Sequence, residues 1–581
     1  MSSNRTSQKL RFVRFSRSVL AVTSAACVFA VAGCSTLPHN TSPQVIGTFQ
    51  KRIDPQVEIT GPKAGADADL ILREFYTASG KPASNYESSR NFLADSIAET
   101  WDPTGSMLVV DSIDILTVDN GADRRTFDVR GNVIGSLVDG GAYVPRSIKY
   151  EATIKMEKIN DQWRIVDLPA GLVIERNDLR NNYRPLSLYF FGQSEQSLVS
   201  DRRWLYTGQQ SVDTELVTLL LEGPNNDLRP AISELVPASA TFLGKEDGVY
   251  RFSGMNSMSQ EQRLRFAASL VWTLNNANVG SKFKATADGS PLIDGLDEMT
   301  IDDFAEYNPS NLVNADAKLY AINNGALLEV SGDKAAPSGT SLGHANNLQS
   351  ADISAESIVA AVQKNSQTEY QLKMGKMGET LSDHLKAKTL ARPTFEPSGQ
   401  AIWTVVNGEK VVRVARSAAT GEFSQNEVDT SGMDNIKGEI SVIRLSATGA
   451  RVAMLIGGNV YIGIVARGNN GDYHIVNAHQ VGLEMQNTAL SLDWMSDGSL
   501  LVGTNNTNSP VWRIEQDGSS ATTLASGNIT APVVAVAASP TMLYITDSHA
   551  LLQLPAESTD NSFWREVSGL QGLRSSPIVA K

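Results

Sequence analysis

The spacing of apolar positions changes along the chain, and each change predicts a different kind of element. A mostly apolar run from Val19 to Ala32 follows a basic start of Arg5, Lys9, Arg11, Arg14 and Arg17. At about 14 residues the run would reach only ~21 Å as a helix, against a hydrocarbon core of ~30 Å, so it has the layout of an export signal and not of a transmembrane helix. From Ser35 to about Gly65 the chain is rich in Ser, Thr, Pro, Asn and Gln without a sustained period, which predicts a flexible tether. Two helical patterns come next: Leu70, Ile71, Phe75 and Tyr76, then Phe92, Leu93, Ile97 and Trp101, the second stopped at Asp102-Pro103. The period then falls to two over Met107 to Val118, Thr126 to Leu137, Ile148 to Met156 and Trp163 to Val166, which predicts strands.

Helices followed by a curved antiparallel sheet over residues 66–175 imply an α+β cone, similar to nuclear-transport-factor-2-like domains. Over 185–296 the pattern mixes. Leu186, Leu188, Phe190 and Phe191 predict a strand, Val212 to Leu221 a helix, and Ala240 to Gly254 a hairpin-like stretch. Ser259-Gln260-Glu261-Gln262 opens a helix carrying Leu264, Phe266, Ala267, Leu270, Val271 and Leu274, and Phe283 to Gly289 closes with a strand and a turn. The helix ending Leu220-Leu221-Glu222-Gly223-Pro224, the later Val236-Pro237 and the terminal Asp288-Gly289 resemble a spore-germination-type GerMN domain, an α/β module. Asp294, Asp297, Glu298, Asp302 and Asp303 lack the alternating ligands and glycine turn of a calcium loop, so 297–315 reads as a solvated acidic linker.

From 316 to 581 one unit repeats: an apolar strand, a polar turn and a second apolar strand. Its turns are anchored at Gly399, Gly449, Gly498 and Pro540, with a weaker copy from Ile353 to Val362. Intervals of roughly 42 to 50 residues are blade spacing and predict a β-propeller of about six blades. Ser576 to Ala580 matches a blade's first strand but has no second strand after it. Ala317 to Ile322 and Ala326 to Val330 supply the missing strands, so one blade is shared between both ends of the domain, which pairs the edges an open sheet would expose.

Composition narrows the function classes. The net charge is −13, and without the basic start the remainder is more acidic still, which disfavours nucleic acid as a partner. Cys27 and Cys34 are the only cysteines, so the exported chain has no disulfide and no cysteine metal site. Val31-Ala32-Gly33-Cys34 resembles a bacterial lipoprotein box. That resemblance implies a signal peptide over 1–33, N-palmitoyl and S-diacylglycerol groups on Cys34 at the head of the 34–65 tether, and a cell-membrane location on the extracytoplasmic face. Two or more acyl chains anchor stably where one does not.

No catalytic constellation emerges, no catalytic or metal-binding residue is assigned, and no cofactor is expected. The six histidines are scattered, including His39, His344, His384 and His549, and His474 and His479 lack the helical spacing of a metalloprotease pair and read as surface residues. Ser331-Gly332-Asp333-Lys334 has the spacing of a serine activated by lysine, but S-D-N and K-T-G partners are missing. Trp403 and Trp494 occupy corresponding blade positions and are expected in the inter-blade core rather than on a glycan platform. Asn505, Asn506 and Asn508 read as loop polarity.

The order of lipobox, tether, cone, GerMN-like domain and propeller resembles the actinobacterial LpqB lipoprotein family over nearly the whole exported chain. Trp101-Asp102-Pro103, Gln162-Trp163-Arg164-Ile165 and Pro169-Ala170-Gly171-Leu172 add local matches. The resemblance implies a non-enzymatic accessory protein that binds the extracytoplasmic part of the MtrB sensor histidine kinase, tuning signalling to the MtrA response regulator in cell-wall homeostasis and division. A receptor for cell-wall glycan or a small ligand, using the cone or the propeller channel, is the alternative.

Overall fold

The computed structural model describes residues 59–581 apart from 139, 210, 313–315, 418 and 559–562, so Cys34 and the tether up to residue 58 lie outside the described residues. The described residues form one compact unit. Helix α1 (Ala68–Ser79) starts where the Asp67 carboxylate accepts from the Ala68 backbone N–H, and it buries Ala68, Ile71, Leu72 and Phe75 while Leu70 faces solvent. These residues fill a sheet of β1 (Met107–Asn120), β2 (Arg124–Val138), β3 (Ala142–Ile159), β4 (Gln162–Asp167) and β5 (Leu172–Glu175), in the order β4-β3-β2-β1-β5.

The second helical pattern is not realised as expected: only Asp95–Ala98 is helical. Phe92 and Leu93 instead pair with the free edge of β4, where Ile165 N donates to Phe92 O at 3.0 Å and Ala94 N to Ile165 O at 2.8 Å. An unpaired strand edge offers those backbone groups more than one extra helical turn does.

The second domain opens with a hairpin of β6 (Tyr183–Phe191) and β7 (Leu198–Tyr206). Two helices follow, α2 (Val212–Glu222) and α3 (Gln260–Asn276), packed with a sheet of Thr241–Glu246, Val249–Ser253, Lys284–Ala287 and Ser290–Pro291. A full capping box holds the start of α3: Gln262 N donates to Ser259 Oγ, and Gln262 Oε1 accepts from Ser259 N. Segment 297–315, expected as a solvated linker, is in part a wall of this domain. Met299 pairs with Phe283, Phe304 is 1% exposed, the Trp272 indole donates to Phe304 O at 3.0 Å, and Tyr307 meets Phe191 edge to face. Acidic side chains on the outer face masked Met299, Phe304 and Tyr307, which dock inward.

The rest is a ring of six four-stranded sheets. Ser576–Val579 pairs with Leu319–Asn323 in register Leu319↔Val579, so the last strand closes the first blade, and the blade count resolves to six. Gly399, Gly449 and Gly498 sit at φ +66°, +71° and +84° in equivalent turns, a backbone region that glycine enters without strain.

Candidate functional site

The three domains meet along β7, where side chains alternate between two neighbours because a strand's period is two. Val199, Asp201, Arg203 and Leu205 face the second domain. There the carboxylate of Asp201, 0% exposed, takes a 2.8 Å ion pair from Arg203 and bonds from Asn225 N and Nδ2. Ser200, Arg202 and Trp204 face a turn of the fifth blade. Arg202 lies 2.6 Å from Glu515 and 3.3 Å from Asp517, the Trp204 indole donates to Asp517 at 3.2 Å, and Ser200 Oγ meets Gln516. Arg451 of the fourth blade donates to Ser200 O at 2.7 Å. The cone joins the same strand: Trp204 N donates to Gly141 O at 2.7 Å, and Trp204 packs with Leu137 and Tyr143. Buried polar contacts of this kind demand fixed geometry, so the junction holds the domains in one arrangement.

The cone and the propeller axis are the two places expected to hold a ligand. In the cone a space of about 20 Å³ lies between Tyr76, Tyr150 and Val173, room for about one water. In the propeller, charges from five of the six blades cross the axis: Asp352, Arg392, Arg444, Asp493 and Lys581. Arg392 and Arg444 share Asp352 at 3.2 and 3.3 Å, and Lys581 Nζ reaches Asp493 at 2.8 Å. Burial alone pushes the Asp493 carboxyl up, but Lys581, Arg444 and Arg392 outweigh it and hold the group at about 2.

Two of the larger spaces lie in and beside the second domain. The first is a groove of about 350 Å³ walled by Phe190, Leu220, Ile232, Leu235 and Phe266, with Glu222, Glu234 and Arg229 among its lining residues. Leu220 to Pro224 and Val236-Pro237, apart in sequence, converge on it. The second is a cleft of about 320 Å³ between the 192–196 loop and the third and fourth blades. Gly192 and Ala231 on one side, and Phe191 and Ile232 on the other, form the wall between the two spaces.

The residues singled out from sequence scatter. Ser331 and Lys334 flank an exposed hairpin turn of the first blade. Trp403 is 0% and Trp494 5% exposed, each with its indole N–H bonded, to Glu396 and to Arg444 O respectively. His474 lies between Asp429 and Asp472 at 2.9 and 3.3 Å. His479 departs from the surface expectation: it lines a polar cavity at the three-domain junction, and burial lowers its pKa. Asn506 caps its own loop, its Oδ1 accepting from Asn508 N. Among the described residues no group of three His, Cys, Asp or Glu side chains is placed to hold a metal. No helix among them is long and apolar enough to cross a membrane. Sequence reasoning missed β7 altogether, because Asp201-Arg202-Arg203 interrupts the apolar alternation that would have marked it.

The architecture defines a multidomain propeller protein whose candidate sites are clefts at and beside its second domain. Three family descriptions match in the same order: "Lipoprotein LpqB, N-terminal domain" over 61–180, "Sporulation and spore germination" over 187–293, and "Lipoprotein LpqB beta-propeller domain" over 325–580. A Lipoprotein LpqB of Corynebacterium diphtheriae is 37% identical over 97% of this chain and 99% of its own length. That of Corynebacterium jeikeium is 35% identical over 95% of both chains, and that of Mycobacterium tuberculosis 26% identical over 94% of this chain and 97% of its own. The chain belongs to the LpqB lipoprotein family.

Proposed function

We propose that this lipoprotein is a non-enzymatic accessory protein, anchored by acylated Cys34 on the extracytoplasmic face of the cell membrane. It binds the extracytoplasmic region of an MtrB-like sensor histidine kinase and modulates two-component signalling in cell-wall homeostasis and division. What supports a protein-binding role above all is the groove of about 350 Å³, on which the most distinctive residues of the second domain converge. Its walls combine apolar side chains such as Phe190, Leu220 and Phe266 with Glu222 and Glu234, and it sits on a body whose second domain and propeller are tied by the bonds of Arg202, Trp204 and Arg451. Apolar side chains beside charged and polar ones are the ordinary composition of a protein-recognition site.

The test is in cells. A photo-crosslinking residue at Val236 is expected to capture the kinase, and Val236→Asp to reduce both capture and kinase output under envelope stress. Unchanged output in a strain lacking the lipoprotein would overturn the reading.

A further inference from the structure

The cleft between the second domain and the propeller holds, at the edge of a charge-balanced floor, one cation that no carboxylate among the described residues neutralises. Its floor is a neutral cluster: Glu396 accepts from the Trp403 indole at 2.8 Å and from Arg413 Nε and Nη2 at 2.6 and 3.0 Å, so the two charges cancel. Tyr473 stands on that floor, with the Arg413 guanidinium 4.8 Å and the Arg467 guanidinium 5.8 Å from its ring centre. Arg467 differs from Arg413 in having no carboxylate within ion-pair distance among the described residues, and it is exposed. Its backbone is gripped from the other side of the cleft. Gln193 Oε1 accepts from Arg467 N at 2.8 Å, and Gln193 Nε2 donates to Arg467 O at 3.4 Å. The guanidinium is thus set at the cleft edge by a bond between domains.

We propose that this cleft binds a sugar of one or two rings carrying a carboxylate or a phosphate. The free guanidinium supplies a planar fork of donors that matches either anion. Ser194 and Gln196 on one wall and Ser398 and Thr448 on the other carry neutral groups that donate and accept, as a ring of hydroxyls requires. The volume, about 320 Å³, lies at the lower end of the range for small-molecule sites, and a domain interface is a common place for them. The net charge of −13 does not cancel the attraction, because exposed charges beyond ~8 Å are largely screened at physiological salt.

The experiment is calorimetric titration of the full-length lipoprotein in detergent micelles with N-acetylmuramic acid, glucose 1-phosphate and uncharged N-acetylglucosamine. Saturable binding of at least one anionic sugar is expected, roughly tenfold or more tighter than the neutral one. Which anion binds identifies the source, carboxylate or phosphate. Arg467→Gln should weaken that binding about tenfold with unchanged circular dichroism, because its side chain is exposed and holds no ion pair. Gln193→Ala, which loosens the grip on Arg467, should weaken it less. No heat from either anionic sugar up to about 10 mM would overturn the proposal. Binding indifferent to Arg467→Gln would do so as well, and so would binding of a short acidic peptide where the sugars fail. None of these outcomes depends on whether the neighbouring groove takes a kinase.

Discussion

Asp493 is the residue on which the propeller's centre turns. Its two oxygens face Lys581 at 2.8 Å and Arg444 at 3.6 Å, and Oδ2 also accepts from Ala538 N at 3.2 Å, all with the side chain 5% exposed. Asp493→Ala leaves the buried Arg444 and the partly exposed Lys581 with fewer partners, and the expected loss is about 3 kcal/mol of stability, read from chemical denaturation. Replacing Asp493 by Asn keeps the shape and should cost less but remain destabilising. The pH dependence follows from the direction of the shift. The folded-state value, lowered from 3.8 to about 2, means that the contribution is fully present above about pH 4 and is lost as pH falls from 4 towards 2. An acid titration of the wild type should therefore lose about 2 kcal/mol more over that window than Asp493→Asn does. Equal slopes for the two proteins would mean that the network does not hold Asp493 ionised.

At the scale of elements, what was legible in sequence followed period and punctuation. Strands with clean alternation, such as Thr126 to Leu137, and turns marked by Gly449 or Gly498, stood where the pattern placed them. The helix at Gln260–Asn276 was announced by its capping box, and Ser259→Ala should cost about 1 kcal/mol by thermal or chemical unfolding. What was not legible was set by partners distant in sequence. Phe92 and Leu93 leave a helical pattern because Ile165 offers a strand edge, and Phe304 enters a core from within an acidic run. The same holds for the candidate sites. The groove's marker residues could be picked out locally, but the cleft draws on positions near 193, 396, 413, 467 and 473, which only the ring brings together. The strand β7 was hidden by its own function as a clasp, since alternate charged residues serve two domains. A double-mutant cycle between Arg202 and Glu515 measures that clasp, and about 1 kcal/mol of coupling is expected for a pair with both side chains about one-fifth exposed. Additive single-mutant effects would place the energy of the junction elsewhere.

At the scale of the whole molecule, the chain's two ends of the propeller are tied twice, once by backbone and once by charge. The strand Ser576–Val579 pairs with Leu319–Ile322, burying Ile578 and Val579 against the first blade and its neighbours, and Lys581 then crosses the axis to Asp493. Removing residues 576–581 would take away both ties. It would leave Leu319–Asn323 as a free edge with an apolar pattern and would leave Asp493 short of its nearest cation. Exposed edges of that kind pair with other chains, so the truncated protein is expected to associate, seen in size-exclusion chromatography. It should also lose hydrogen-exchange protection across the first blade and not merely at its edge, because closed rings share stability among blades. Lys581→Met separates the two ties: it keeps the strand and removes the charge, so it should elute as the wild type does and show only a lowered denaturation midpoint. A truncated chain that eluted as the wild type does, with the protection of Leu319–Asn323 intact, would show that the ring does not need its closing strand. The clasp at β7 would then have to carry the fixed arrangement of domains on which both the groove and the cleft depend.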